Sequence, residues 1–264
     1  MRLLPVAIPL LFLFRTSFAQ TTEKPPSFEV ASLKPAPNPI ATKDGYTEGY
    51  NAGMRAALAS AGMRISGQRV NITDNSLKDL IRIAWQFKDY QIVAPAWMAG
   101  DKFEVIANMP AGADRSQAPA MLRTLLEARF HLQAHMEKRE LPVYALTTSK
   151  GGPKLTPAAG PPNKRGGDSW TDGGVGHLRA LNSPEAAFAD LLTKISARPV
   201  IDASGLTGIY DFDVVYAPEL SDAPPDAGPS LTSALAAIGL RLEKRQEQLE
   251  VLVVDHADKV PAGN

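Results

Sequence analysis

The sequence predicts an α+β protein made of two tandem β-α-β-β-α-β-β repeats, each a small sheet with helices packed on one face. Three observations carry this expectation. Apolar spacing recurs about 109 residues apart, with Leu77, Leu80, Ile81 and Ala84 matched by Phe188, Leu191, Leu192 and Ile195. Lys102-Phe103-Glu104-Val105 recurs as Asp211-Phe212-Asp213-Val214, and Leu141-x-Val143-x-Ala145 as Leu249-x-Val251-x-Val253. Helical and alternating stretches are also interleaved, and a helix with one apolar stripe must bury it against a sheet. The period is too long for a solenoid, so two small pseudo-equivalent domains are expected.

The chain opens with Met1-Arg2, an apolar run from Leu3 to Phe14, and Ser17-Phe18-Ala19, a small-x-small cleavage pattern. Residues 1–19 read as a secretory signal peptide, since the run is shorter than the roughly 20 apolar residues of a membrane span. Residues 20–63 form a leader, with an alternating strand at Phe28–Lys34 and a Gly-, Ala- and Pro-rich loop carrying a helical turn around Met54–Leu58.

The first repeat is expected over residues 64–150. Val70-Asn71-Ile72-Thr73 reads as a strand and leads to Ser76, which caps a helix with Asp79 three residues on. Leu77, Leu80, Ile81, Ala84 and Trp85 mark that helix's apolar face. Tyr90–Val93 and Lys102–Ala107 read as strands around a turn at Pro95-Ala96-Trp97, and a second helix runs from Ala118 to Ala128. Phe130–Glu137 and Leu141–Thr148 then form a hairpin through a charged turn at Lys138-Arg139. Residues 151–176, dense in Gly and Pro, read as a flexible linker.

The second repeat, residues 177–260, opens on Leu178–Leu181, with Leu181 in the place of Ile72. A helix starts at Ser183-Pro184, where Pro fits the first turn. Val200-Ile201 and Tyr210–Tyr216 read as strands, a helix stops at Gly239 in the manner of a C′ glycine, and a hairpin from Leu240 to Val254 closes the unit.

Composition narrows the function. The chain has no cysteine, which removes disulfides, zinc thiolates, thiol nucleophiles and lipidation through an N-terminal cysteine. Without Arg2 and Arg15 the mature chain carries 26 basic and 28 acidic residues, a balance that does not point to nucleic acid. After the signal, no stretch is long and apolar enough to span a membrane.

No catalytic constellation, cofactor motif or metal-ligand set stands out. His131 and His135 lie on an alternating stretch, where positions four apart are about 13 Å from each other, too far to share one ion. Asp211 and Asp213 share a strand face, as an acid/base pair would, but the alternation Tyr210, Phe212, Val214 turns them to solvent. Ser204 lacks a nucleophile elbow, and Asp202-x-Ser204-Gly205 has the composition of a turn. The candidate binding residues are Trp97, Asp202, Tyr210 and Asp211. An exposed Trp97 would anchor an interface, although its apolar counterpart Leu206 favours packing.

In order along the chain stand Phe28-Glu29-Val30-Ala31-Ser32-Leu33-Lys34, Ser76-Leu77-Lys78-Asp79-Leu80-Ile81, Pro95-Ala96-Trp97, Met121-Leu122-x-x-Leu125-Leu126-x-x-Arg129-Phe130, Glu140-Leu141-Pro142-Val143-Tyr144-Ala145-Leu146 and Gly151-Gly152-Pro153-Lys154-Leu155. Arg198-Pro199-Val200-Ile201-Asp202-x-x-Gly205-Leu206-Thr207-Gly208-x-Tyr210-Asp211-Phe212 follows. Together these resemble the exported soil-bacterial family expanded in Acidobacteria and known by its domain of unknown function, DUF3738, and as TIGR03435. The resemblance implies export and a single fold, and it lends no activity. Some relatives look attached to membrane metallopeptidases of the antibiotic-sensor type, but their His-Glu-x-x-His motif is not in this chain. By topology alone each unit is similar to the small periplasmic domains of secretins and TonB-dependent receptors. The favoured expectation is an exported, non-enzymatic envelope protein that binds a protein or peptide through a sheet edge or the groove between repeats. The alternatives are an envelope-directed hydrolase with a site in the inter-repeat cleft, and a small-molecule sensor domain.

Overall fold

The computed structural model describes residues 25–36, 62–163, 167–218 and 228–263. The signal segment and the helical turn expected at Met54–Leu58 lie outside the described residues. The fold is α+β, with helices packed on strands as expected.

The elements run β1 (Val30–Pro35), β2 (Arg64–Ser66), β3 (Arg69–Ser76), α1 (Leu77–Trp85), β4 (Ile92–Val93), β5 (Lys102–Asn108), α2 (Ala118–Phe130) and β6 (Gln133–Thr148). They continue with β7 (Thr156–Pro157), β8 (Asp168–Asp172), β9 (Val175–Ser183), α3 (Glu185–Ile195), β10 (Val200–Asp202), β11 (Tyr210–Tyr216), α4 (Leu231–Ala237) and β12 (Leu240–His256). Short 3₁₀ turns span Asp89–Gln91, Ala96–Ala99 and Arg115–Gln117.

Local chemistry sets the helix ends. Ser76 Oγ accepts the Asp79 N–H at 3.1 Å and Asp79 Oδ2 accepts the Ser76 N–H at 3.0 Å, the reciprocal capping box the sequence predicts. Behind it Leu77, Leu80, Ile81 and Ala84 are buried. α2 and α3 each carry proline at their start, and they bury Met121, Leu122, Leu125, Leu126 and Phe130, and Phe188, Ala189, Leu191 and Leu192. After α4, Gly239 takes φ 77° and lies against the backbone of Gly152–Lys154, where a β-carbon would collide.

The strands form three four-stranded sheets, ordered β1-β5-β3-β2, β10-β6-β12-β4 and β7-β11-β9-β8. In both outer sheets a long strand (β3 or β9) makes a hairpin with the short edge strand before it (β2 or β8). On its other side it pairs with the strand after the helix (β5 or β11), which pairs in turn with a short strand from earlier in the chain (β1 or β7). Both long strands bulge at the same place. Thr73 and Asp74 stand opposite Glu104 alone, and Leu181 and Asn182 opposite Asp211 alone; Asp74 and Asn182 both have positive φ, 59° and 49°.

The hairpins expected around Lys138-Arg139 and within Leu240–Val254 are not formed. β6 and β12 are single long strands that pair antiparallel with each other along nearly their whole length. Glu137-Lys138-Arg139-Glu140 offers none of the Gly, Asn or Asp that a tight turn requires, so extended backbone wins. The consequence is an exchange between two cores. Leu132 and, from β12, Leu252 and Val254 belong to the core around α1 and α2, whereas Leu146 and, from β12, Leu240 belong to the core around α3 and α4. Each outer unit therefore does not close on its own sheet as expected, because the second sheet, β10-β6-β12-β4, is shared. Between the cores no residue from Glu137 to Pro142 is buried, and the ribbon there carries Glu137, Lys138, Arg139, Glu140, Glu247 and Glu250.

The stretch read as a flexible linker contributes β7 and β8 to the third sheet. β9 corrects a further detail: Ala180, not Leu181, is the buried residue at the place of Ile72, and Leu181 is exposed.

Candidate functional site

Tyr210 and Asp211 open β11 at one end of the third sheet, opposite the residues that lead into α3, and Asp202, at the end of β10 in the shared sheet, lies near Glu185 in the first turn of the same helix. Asp202 closes β10. Its Oδ1 accepts the Ser204 N–H at 3.0 Å and the Ser204 hydroxyl at 2.7 Å, and Ser204 Oγ accepts the Leu206 N–H at 3.2 Å. This is an Asx turn, the structure that the composition of the segment predicts. Tyr210 pairs with Ser183 across the ladder, and its hydroxyl donates to the Thr207 carbonyl at 3.4 Å.

Asp211 departs from the expectation of a solvated face. It is half-buried, and its Oδ1 accepts the Asn182 N–H at 2.7 Å. The bulge causes this: one extra residue on β9 aims the left-handed Asn182 amide at the carboxylate opposite. The Asn182 side-chain oxygen accepts the Gly160 N–H at 3.1 Å and its carbonyl accepts the Asn163 N–H at 2.7 Å, which ties the incoming chain to the bulge. Asp213, two residues on, is exposed as expected, with Arg179 opposite.

Glu185, in the first turn of α3, belongs to the same neighbourhood. It is only 6 % exposed, and among the described residues its Oε1 has no hydrogen-bond partner. Burial pushes its carboxyl above the usual range; its own backbone N–H opposes this in part, and the nearby Asp202 charge adds to the rise. A glutamate in a first helical turn is an ordinary dipole-favoured residue, so the sequence gives no sign of its burial.

Trp97 lies elsewhere. It sits in the 3₁₀ turn Ala96–Ala99, half-buried against the core of α1 and α2, with the Lys259 ammonium 5.8 Å from its ring centroid. Three of the four candidate residues thus border the start of α3, on strands of two sheets, and the fourth does not.

Beside the C-terminal segment, His131 and His256 share the carboxylate of Asp258, and His135 takes that of Asp255. His131 Nδ1 is 2.7 Å from Asp258 Oδ2, His256 Nε2 is 3.3 Å from Asp258 Oδ1, and His135 Nδ1 is 2.8 Å from Asp255 Oδ2. The hydrogen bond to Asp255 chiefly raises the His135 pKa, burial opposes it, and the Asp255 and Glu137 charges add to it. Among the described residues no three metal-ligating side chains converge on one point. Asp258 and the residues after it run over the end of α2, where the Asp258 N–H donates to the Phe130 carbonyl and the Ala262 N–H to the Arg129 carbonyl. Beside them a cavity of about 370 Å³ opens between Phe28, Met121, Leu125, Arg129 and Gly263.

Trp170 on β8 is 44 % exposed and stacked on His177 at 4.9 Å between ring centroids. It was hidden inside the Gly- and Pro-rich stretch.

No helix among the described residues is long and apolar enough to cross a membrane. No curated protein and no solved structure matches the chain. A family model described as a protein of unknown function, DUF3738, matches residues 78–257, from α1 through β12 and well over half of the sequence, and the chain belongs to that family.

Proposed function

We propose that this chain is an exported cell-envelope protein of the narrower, Acidobacteria-rich TIGR03435 group, and that it works as a binding module rather than an enzyme. The chain is read as a duplicated unit whose copies have exchanged their last strands, a reading supported by the matching strand orders and bulges of the two outer sheets. The observation that carries the binding reading is how the candidate polar side chains are used. Asp202 holds a turn through Ser204, and Asp211 holds a bulge through Asn182. Exposed apolar surface meanwhile gathers on a sheet, at Trp170, Leu181 and Val215. Export rests on residues 1–19, with their apolar run and their Ser17-Phe18-Ala19 cleavage pattern.

The test is capture of partners by the mature chain, residues 20–264, from envelope extract, read by mass spectrometry. A specific protein retained by the wild type and lost with Trp97→Ala would place the interface at that indole. One retained by both would place it elsewhere, and retention of nothing above background would sink the reading. Fractionation of cells expressing the full chain tests export, which fails if the protein stays uncleaved in the cytoplasm.

A second reading, an envelope-directed hydrolase, is favoured by one observation: Glu185, with its raised pKa, lies near Asp202, the arrangement of a proton donor beside an ionised carboxylate. Its near-complete burial keeps it from a substrate, which is why binding is preferred. A hydrolytic activity abolished equally by Glu185→Gln and Asp202→Asn would reverse that preference.

A further inference from the structure

β8 is the outermost strand of its sheet, and every residue of it is exposed. Its sequence, Asp168-Ser169-Trp170-Thr171-Asp172, is followed by Gly173 and Gly174, at φ 56° and 84°, and then by Val175, which pairs with Asp172. Two positive-φ residues between paired flanks are what a type I′ hairpin requires, and the flanking pair then carries both hydrogen bonds. Alternation along the ladder turns the backbone groups of Asp168, Trp170 and Asp172 inward, toward β9. The N–H and C=O groups of Ser169 and Thr171 are left pointing off the open side of the sheet. One more extended strand fits that spacing.

Side chains alternate with the backbone. Asp168, Trp170 and Asp172 stand on the face that carries Arg179 and His177, their neighbours on β9. The planes of Trp170 and His177 are 6° apart, so one indole face rests on the imidazole and the other is turned toward the open edge. Asp213 lies beyond Arg179 in the same row, so the carboxylates of this face outnumber its one guanidinium.

The two aspartates decide what can dock. A second copy of β8 pairing antiparallel about Trp170 would set Asp168 against Asp172 twice, and like charges directly opposite one another are destabilising. The edge is thus guarded against its own kind. The same charges favour a strand with a cationic side chain at each of those positions. A residue opposite Trp170 would be in a non-hydrogen-bonded pair, with α-carbons about 4.5 Å apart, close enough for ring contact.

We propose that β8 is the docking edge of this protein for an extended peptide strand of the pattern basic-x-aromatic-x-basic, which adds to the sheet and stacks its central ring on Trp170. This deepens the binding-module reading and rests on it.

The probe is a capped synthetic peptide, Thr-Lys-Thr-Phe-Thr-Lys-Thr, titrated into the mature chain, with a counterpart in which both lysines are glutamates. The expected result is a shift of the Trp170 indole N–H resonance, together with new hydrogen-exchange protection at the Ser169 and Thr171 amides. The glutamate peptide should bind roughly tenfold more weakly, from two cross-strand charge pairs. Asp168→Lys combined with Asp172→Lys should invert that preference. Thr171→Pro removes only an outward N–H, which an edge strand tolerates, and should abolish binding. Because a proline variant can misfold, the lysine peptide N-methylated at the amides that would face β8 is tested on the wild type, and it should fail to bind. The inference is overturned if neither amide gains protection, if the two peptides bind alike, or if the N-methylated peptide binds normally. Capture from envelope extract separates the two levels. A partner held equally by wild type and by a folded Thr171→Pro variant removes β8 and leaves the module reading intact, whereas a wild type that holds no partner removes the module reading whatever the peptide does.

Discussion

Glu140 and Gln248 face each other at the midpoint of the β6–β12 ribbon, between the two cores, where neither strand has a buried side chain. From that pair each strand runs on into a different core. Leu146 and Leu240 enter one, and Leu132, Leu252 and Val254 enter the other. Neither core is complete without β12, so the two should unfold together. Single-tryptophan chains that keep Trp97, on the first core, or Trp170, on the third sheet, should show coincident urea midpoints. Leu252→Ala, at 1 % exposure, should cost about 2–5 kcal/mol and lower both midpoints equally. Separate midpoints would mean that the ribbon does not couple the cores.

The bond between Asp211 and the left-handed Asn182 amide predicts an ordered pair of variants. Asp211→Ala leaves that N–H without its acceptor in a half-buried place and should cost about 1–3 kcal/mol. Asp211→Asn keeps an oxygen in reach and should cost less. If both cost nothing in thermal or urea unfolding, the carboxylate does not hold the bulge and is free to serve a ligand.

Local signals in the sequence were reliable because they act within one turn of chain. Ser76 and Asp79 announce the start of α1, and Leu77, Leu80, Ile81 and Ala84 its buried face. The partner of β6 was not legible, because alternation says which face of a strand is apolar and not which strand lies beside it. Glu137 pairs with Val251, more than a hundred residues away. A two-residue misalignment was equally invisible. The repeat expected from the sequence sets Phe103 on Phe212, whereas the ladders place Phe103 opposite Asn75 and Tyr210 opposite Ser183, on the same side of corresponding bulges. A slip of two preserves the face, so the periodicity carries no warning. β8 escaped notice for the opposite reason: exposed throughout, it has no apolar period. Asp202, Tyr210 and Asp211 were legible as one neighbourhood because they share one short stretch of chain. Glu185 was not, since only tertiary packing buries it.

His135 offers a titration that reads its partner directly. Its pKa is raised above the model-peptide value of 6.5, first by the hydrogen bond to Asp255. Asp255→Asn should bring it down toward that value in an NMR titration of the imidazole. The linkage has a definite sign. A histidine raised in the folded state contributes stability that is fully present below 6.5 and lost as pH rises through the folded pKa. The His135–Asp255 contact should therefore help hold the end of β12 most below pH 6.5 and help less as pH rises through the raised pKa of His135. Hydrogen exchange at Val254–His256 across that range, compared with the Asp255→Asn chain, checks it; identical pH dependence in the two chains would dismiss the contact as a surface pair of no consequence.

Glu185 should behave in the opposite way from an ordinary surface carboxylate. Its pKa in the fold is raised above 4.5, by burial first and by the Asp202 charge besides. Between 4.5 and that raised value the folded chain holds a proton that the unfolded chain has released, so stability falls as pH rises through the window. Above it, the fold carries a buried charge whose Oε1 has no partner among the described residues. Glu185→Gln cannot ionise and removes that burden. The variant should match the wild type in thermal midpoint near pH 4 and exceed it once pH has passed the raised pKa of Glu185, with the gap opening as pH rises through that window. Asp202→Asn, which removes the neighbouring charge, should narrow the gap by lowering the Glu185 pKa. A Glu185→Gln chain that loses stability relative to wild type as pH rises would show instead that the ionised carboxylate has a favourable partner when folded, and would restore Glu185 as a candidate ligand-binding group.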